Sequence, residues 1–218
     1  YADVLEGEGN TGRVEHRGPH TTDLEKGGGM IQDLTSHALV ALFALEDYIG
    51  EIDATFSQGQ VRVAHCREYV QWAKEQLQLP EERIGETYAE MEFVTSTGVP
   101  IRAALGKYIL KQKNQRRIII VGDEGQALLD MSSCTLSLSH GDQSPERILE
   151  IPKAPESKYY PVVRACLEII AGHSPYTFDA TRAAYRAQEF ILNVAAKATA
   201  QDKVNLYPAG ALHREIFP

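Results

Sequence analysis

From Ala38 to Leu45 the chain runs Ala-Leu-Val-Ala-Leu-Phe-Ala-Leu without a polar side chain. Ahead of this run, Ile31 and Leu34 fall in helical step with Ala38, Leu42 and Leu45, so the spacing predicts one helix over 30–46. Leu39, Val40, Ala41, Phe43 and Ala44 complete the circle. A helix that is apolar on every side has no face to offer water and is buried between layers. The rest of the fold has to be built around it.

What surrounds this helix reads as strands first and helices last. Residues 1–29, rich in Gly and charge, read mostly as loop, with a strand near Arg13–His16. Residues 51–64 read as a strand, and Arg67–Leu79 as an amphipathic helix that Pro80 ends. Ala89, Met91 and Phe93 then alternate with Glu90 and Glu92. After a turn at Ser96-Thr97-Gly98 the alternation resumes with Val99, Ile101, Ala103 and Leu105, the mark of a sheet with one covered and one wetter face. Further strands are expected at Ile118–Val121, Ala127–Met131, Thr135–Ser139 and Arg147–Ile151, with Gly122–Gly125 as a turn. Two helices close the domain, Lys158–Ala171 and Phe178–Ala200, the second with Ala183, Ala187, Phe190, Ile191 and Val194 on one stripe; residues 201–218 read as a tail. This order predicts an α+β domain over 1–200, with an open, mainly antiparallel sheet and helices on one face. It is not an alternating βαβ chain, and Gly7-Glu8-Gly9 lacks the hydrophobic strand before it and the helix after it that a dinucleotide fingerprint needs.

Composition removes several classes of function. A formal net charge of −8 argues against nucleic acid, whose binding draws on Lys and Arg. The short basic cluster Lys111–Arg117 reads as a solvated loop before a strand. No apolar run approaches the roughly 20 residues that span a bilayer, and the opening residues carry no secretory signal. Three cysteines without a CxxC spacing argue against a disulfide framework or zinc and for a reducing, cytoplasmic setting. A start at Tyr1, inside a polar Gly-rich stretch, fits a fragment of something longer.

The segment with chemical content is Gly27-Gly28-Gly29-Met30-Ile31-Gln32-Asp33-Leu34-Thr35-Ser36-His37. Asp33 and His37 stand four apart and share a helix face. A neighbouring carboxylate favours a charged imidazole and burial disfavours it, a balance that suits a general base. The same spacing also describes a helix-start carboxylate and a satisfied core histidine. As a metal site, Asp33 and His37, even with His20, supply too few ligands. Lys107 and Tyr108, on a strand, either face the pocket or lie on the sheet surface, and the surface is the favoured placement. His65, His140, His173 and His213 read as exposed loop residues, and Trp72 as packing for its helix.

The run GGGMIQDLTSHAL resembles the GGG-x-x-x-D-x-x-x-H segment of the Gfo/Idh/MocA family of NAD(P)-dependent sugar oxidoreductases. Arg116–Asp130 is similar to that family's strand–turn–strand, and the closing helices are similar in order, so the resemblance runs from about Arg13 to Ala200. It covers only the family's C-terminal domain, dihydrodipicolinate-reductase-like in fold. The N-terminal Rossmann domain, with its catalytic Lys in a Glu-Lys-Pro context, has no counterpart, and 67–79 looks like an insertion. The resemblance implies His37 as the base, Asp33 as its orienting carboxylate, and His20 and Arg17 as substrate contacts. It further implies a sugar or polyol substrate, NAD or NADP held mainly by a domain absent here, and homo-oligomers through the sheet face. A non-catalytic, sheet-mediated interaction module derived from the family is the alternative.

Overall fold

The computed structural model describes residues 2–9, 19–33, 35–110, 115–130, 133, 135–140, 147–150, 167, 180–199 and 205–210. The strands are β1 (Ala2–Gly9), β2 (Gln60–Cys66), β3 (Tyr88–Val94), β4 (Pro100–Leu110), β5 (Gln115–Val121), β6 (Gly125–Asp130), β7 (Thr135–His140), β8 (Arg147–Glu150) and β9 (Leu206–Tyr207). They form one sheet in the order β8-β7-β6-β5-β1-β4-β3-β2-β9. The helices are α1 (Pro19–Thr22), α2 (Met30–Asp33), α3 (Thr35–Phe43), α4 (Glu46–Ile49), α5 (Arg67–Gln76) and α6 (Ala180–Thr199).

Strand alternation sets the core. Val61 and Val63, Ala89, Met91 and Phe93, and Ile101, Ala103 and Leu105 turn one face of the sheet towards Met30, Ile31, Leu39, Leu42 and Phe43 of α2 and α3. On α6, Ala183, Ala187, Phe190, Ile191 and Val194 form the expected buried stripe. Phe190 is its centre, with ring centroids 5.8, 5.1 and 5.0 Å from those of Phe43, Phe56 and Phe93. Each such pair contributes about 0.5–1.5 kcal/mol beyond area burial. The apolar helix is buried at Leu39, Leu42 and Phe43, while Val40, Ala41 and Leu45 pack against the same core half-covered.

Several expectations need correction. The chain does not begin as loop: β1 lies in the interior of the sheet, parallel to β4 and antiparallel to β5. Its Gly and Glu content hid it, because a strand flanked by two partners is held by its ladder even where side-chain propensity is low. The 10–18 segment, with Arg13–His16 and Arg17, lies outside the described residues. The helix expected over 30–46 ends at Phe43, where Leu45 N–H bonds the Leu42 carbonyl and α4 starts afresh. The strand expected from residue 51 starts at Gln60. Before it, the Asp53 carboxylate accepts the Ser57 N–H at 2.9 Å and the Thr55 N–H at 2.9 Å, and Phe56 turns at φ 53°. An Asp that bonds backbone ahead of it competes with strand formation. The hydroxyl of Ser57 and then that of Thr55, both donating to this carboxylate, draw it down to about 2 against burial, with the two N–H groups adding less.

The sheet is mainly antiparallel, but helices do not keep to one face. Ala64, Tyr88 and Ala104, of opposite parity to the core positions, join Tyr69, Val70 and Ala73 of α5 in a second cluster. The helix α5 stops at Gln76, and Trp72 stacks on Tyr69 at 5.6 Å. Nor is the C-terminal segment only a tail: β9 pairs in parallel with β2, and Tyr207 is buried in the second cluster. Part of the basic cluster is strand, since 115–117 open β5, where Arg117 bonds Asp130 at 3.1 Å. His65 is a half-buried residue of β2, its pKa lowered mainly by burial. His140 ends β7 and is exposed. The helix expected at 158–171 lies outside the described residues, Leu167 apart, as do His173 and His213. No helix among the described residues is long and apolar enough to cross a membrane.

Candidate functional site

The glycine run is a backbone crossing. Gly28 and Gly29 donate to the carbonyls of Asp23 at 2.9 Å and Thr21 at 3.2 Å, and Gly85 donates to Thr22 at 2.7 Å. A Cβ on Gly28 would lie 2.7 Å from Asp23 N, and one on Gly85 would lie 2.6 Å from the Gly29 Cα, so only glycine lets these segments pass. Beneath them Asp23, without exposed surface, bonds Arg83, whose hydrogen bond holds the Asp23 carboxyl below its ordinary value against the cost of burial.

This crossing aims α2. Its first two N–H groups, which no helix satisfies internally, are both taken by Glu86. Met30 N–H bonds the Glu86 carbonyl at 2.9 Å and Ile31 N–H its Oε1 at 2.8 Å. Burial pushes the Glu86 carboxyl above its ordinary value; the bond from Ile31, the Glu86 backbone and the nearby Lys107 charge oppose this without reversing it. Gly29, at φ 104°, lies where a Cβ would meet the Glu86 carboxylate oxygens at 2.7 Å.

At the far end of α2 stands Asp33. Its Oδ2 accepts a hydrogen bond of 2.7 Å from Nζ of Lys107, on β4. The Lys107 side chain is 2% exposed and that of Asp33 26%, so the ammonium is buried while the carboxylate reaches the surface. Lys107 is thus not a sheet-surface residue. The signal was in the sequence: 107 continues the parity of 101, 103 and 105, the covered face, and a lysine there requires a carboxylate. The strand is pinned at this residue, with Lys107 N–H bonded to the Thr87 carbonyl at 2.7 Å and Tyr207 Oη donating to the Lys107 carbonyl at 2.7 Å. The side chains of His37 and Tyr108 lie outside what is described, although His37 itself belongs to α3. His20 is an exposed residue of α1, next to Thr21, whose carbonyl holds Gly29.

The arrangement can offer a fixed carboxylate to a hydroxyl. It does not fit a dinucleotide, because the N–H groups of Gly27, Gly28, Gly29, Met30 and Ile31 that would cradle a pyrophosphate are all bonded within the chain. Among the described residues no group of three or more His, Cys, Asp or Glu is placed to hold a metal ion. A concavity of about 670 Å³, lined by 51–59, 93–96 and Arg186, lies at the other end of β3. That strand is roughly 20 Å long, so the concavity is remote from Asp33.

No family model matches the sequence, and no curated protein matches it. Solved structures do. UDP-N-acetylglucosamine 3-dehydrogenase GnnA from Acidithiobacillus ferrooxidans is similar at TM-score 0.61 and 16% identity, over 92% of this chain and 56% of that one. A levoglucosan dehydrogenase in complex with NADH and levoglucosan is similar at TM-score 0.62 and 14% identity, over 90% of this chain and 56% of its own. Biliverdin reductase from Synechocystis, in complex with biliverdin and NADP+, is similar at TM-score 0.55 and 15% identity, over 91% and 54%. The chain has their fold. It spans little more than half the length of each, and GnnA and levoglucosan dehydrogenase are oxidoreductases of the Gfo/Idh/MocA type that the glycine–Asp–His segment resembles.

Proposed function

We propose that this chain is the substrate-binding and proton-transfer domain of an NAD(P)-dependent oxidoreductase of the Gfo/Idh/MocA type, acting on a sugar, polyol or related hydroxy compound. The observation that carries the reading is the Asp33 carboxylate, partly exposed at the end of α2 and bonded from the sheet by Lys107. A hydroxyl donates a hydrogen bond to such a carboxylate, which fixes the carbon bearing it. Oxidising that carbon removes a proton from oxygen and a hydride from carbon. These residues address the proton, with His37, four positions on, as the acceptor and Asp33 as the group that orients both. The hydride is the chemistry of a nicotinamide held by a domain the described residues do not contain. His20 and Arg17 are the further substrate contacts in this reading.

The test is turnover by the natural protein that carries this chain, with NAD or NADP and a panel of polyols, anhydrosugars and nucleotide sugars. His37→Ala is expected to lower kcat by about 10²–10⁴-fold and to leave nucleotide affinity unchanged. Unaltered kcat in that variant, or a parent that reduces nucleotide with no member of the panel, overturns the reading.

A further inference from the structure

We propose that Lys107 is a positioning residue, holding the Asp33 carboxylate from the sheet side so that its oxygens meet a hydroxyl of an uncharged polyhydroxy substrate. The inference rests on the function proposed above. It starts from a residue that the core would not choose. Ile101, Ala103 and Leu105 occupy the same face of β4 and are buried, and a fourth apolar side chain would continue it. An ammonium there must be desolvated, and a hydrophobic replacement for a buried ion pair is often neutral or stabilising. Stability alone therefore does not account for the lysine.

Geometry accounts for it. Asp33 stands in the first turn of the helix that Glu86 seats, and a carboxylate there needs a fixture from outside the helix to keep one orientation. The Lys107 ammonium, reaching up from a strand pinned through Thr87 and Tyr207, supplies that fixture at 2.7 Å. With its side chain 2% exposed, Lys107 is not the group an incoming molecule meets; Asp33, at 26%, is. An ionised carboxylate accepts at about four lone-pair sites, so the bond to lysine orients it without using all of its acceptor capacity. A carboxylate and an ammonium together carry no net charge, which suits an uncharged polyol rather than an acid.

The experiment is a double-mutant cycle in the natural protein, with nicotinamide cofactor and the sugar or polyol it turns over. Lys107→Met is expected to lower kcat about 10- to 100-fold with the KM for nucleotide unchanged, and Lys107→Arg to recover most of the loss. In an Asp33→Asn background, Lys107→Met is expected to lower kcat no further, because the lysine reaches the substrate through that carboxylate. Thermal melts followed by circular dichroism count the folded fraction; should Lys107→Met not fold, Lys107→Gln takes its place in the cycle. Additive losses, or parental kcat in the single variant, overturn the positioning role while leaving turnover by the parent, and so the proposed function, intact. A parent without turnover on the whole panel overturns that function and this role with it.

Discussion

The strands β3 and β4 have acids on both sides of them, and the two sides satisfy theirs in opposite ways. On the face shared with α5, Glu90 is 2% exposed and takes Arg62 at 2.9 Å, Arg102 at 2.9 Å and the Tyr88 hydroxyl at 3.1 Å. Burial alone would raise its carboxyl, but the bonds and charges of Arg102 and Arg62 outweigh that and hold it below its ordinary value. On the face beneath α2, Lys107 serves Asp33 by a direct bond and Glu86 by its nearby charge, and Glu86 is left with a raised pKa. Glu90 is bonded by two guanidiniums, whereas Asp33 and Glu86 both draw on Lys107. A carboxylate held by two guanidiniums fastens strands together; one that is held by an ammonium from the sheet and reaches the surface is the one proposed above to meet a ligand.

The sharpest way to break this comparison is to remove Glu90. Glu90→Ala leaves Arg62 and Arg102 without their shared partner and Tyr88 without its acceptor, on strands whose pairing those bonds cross. The expected loss is about 3 kcal/mol of unfolding free energy from the hydrogen bonds to a charged group that are removed together, read from urea unfolding at neutral pH, with kcat per folded molecule unchanged. A variant that melts like the parent but turns over more slowly would reverse the roles assigned to the two faces.

How much of this could be read from residues alone follows the same division. Alternation in 88–94 and 100–105 and the stripe on α6 were legible because each rests on a periodicity within one element. The glycine run and Asp33 were legible as a motif. The parity of Lys107 was visible, yet the sheet surface was favoured over the pocket for it, because a charged residue on a strand is by default put in water. Neither Glu86 nor Tyr207 was singled out, and no local pattern names either. Glu86 caps a helix 55 residues away from it, and Tyr207 pins a strand 100 residues away. Such bonds are properties of the crossing of segments, which the sequence of each segment does not contain.

A smaller effect separates the cap from the pair. Gly29→Ala puts a Cβ against the Glu86 carboxylate at a φ of 104°, a conformation that L-residues adopt only under strain. The expected cost is about 2 kcal/mol, with turnover falling further than stability because Glu86 can no longer seat the first turn of α2 and Asp33 moves with it. Stability lost with kcat preserved would show that the aim of α2 does not matter to the site.

The smallest effect reads the charge balance itself. In the folded chain the Glu86 carboxyl keeps its proton to a higher pH than its ordinary value of 4.5. The protonated group therefore supports the fold fully below that value, and the support is lost as pH rises through the raised folded value. Glu90 runs the other way: its depressed pKa contributes stability above 4.5, lost as pH falls through the folded value. Glu86→Gln keeps an acceptor for the Ile31 N–H and removes the titration. The variant is expected to lie within about 1 kcal/mol of the parent at pH 7, and to gain on the parent as pH rises from below 4.5 towards neutrality. Urea unfolding of both proteins at a series of pH values gives this difference directly. A difference that is flat with pH, or that moves in the parent's favour, would mean that Glu86 is charged in the folded protein. Lys107 would then be balancing two carboxylates, and the contrast between the two faces would fail at its root.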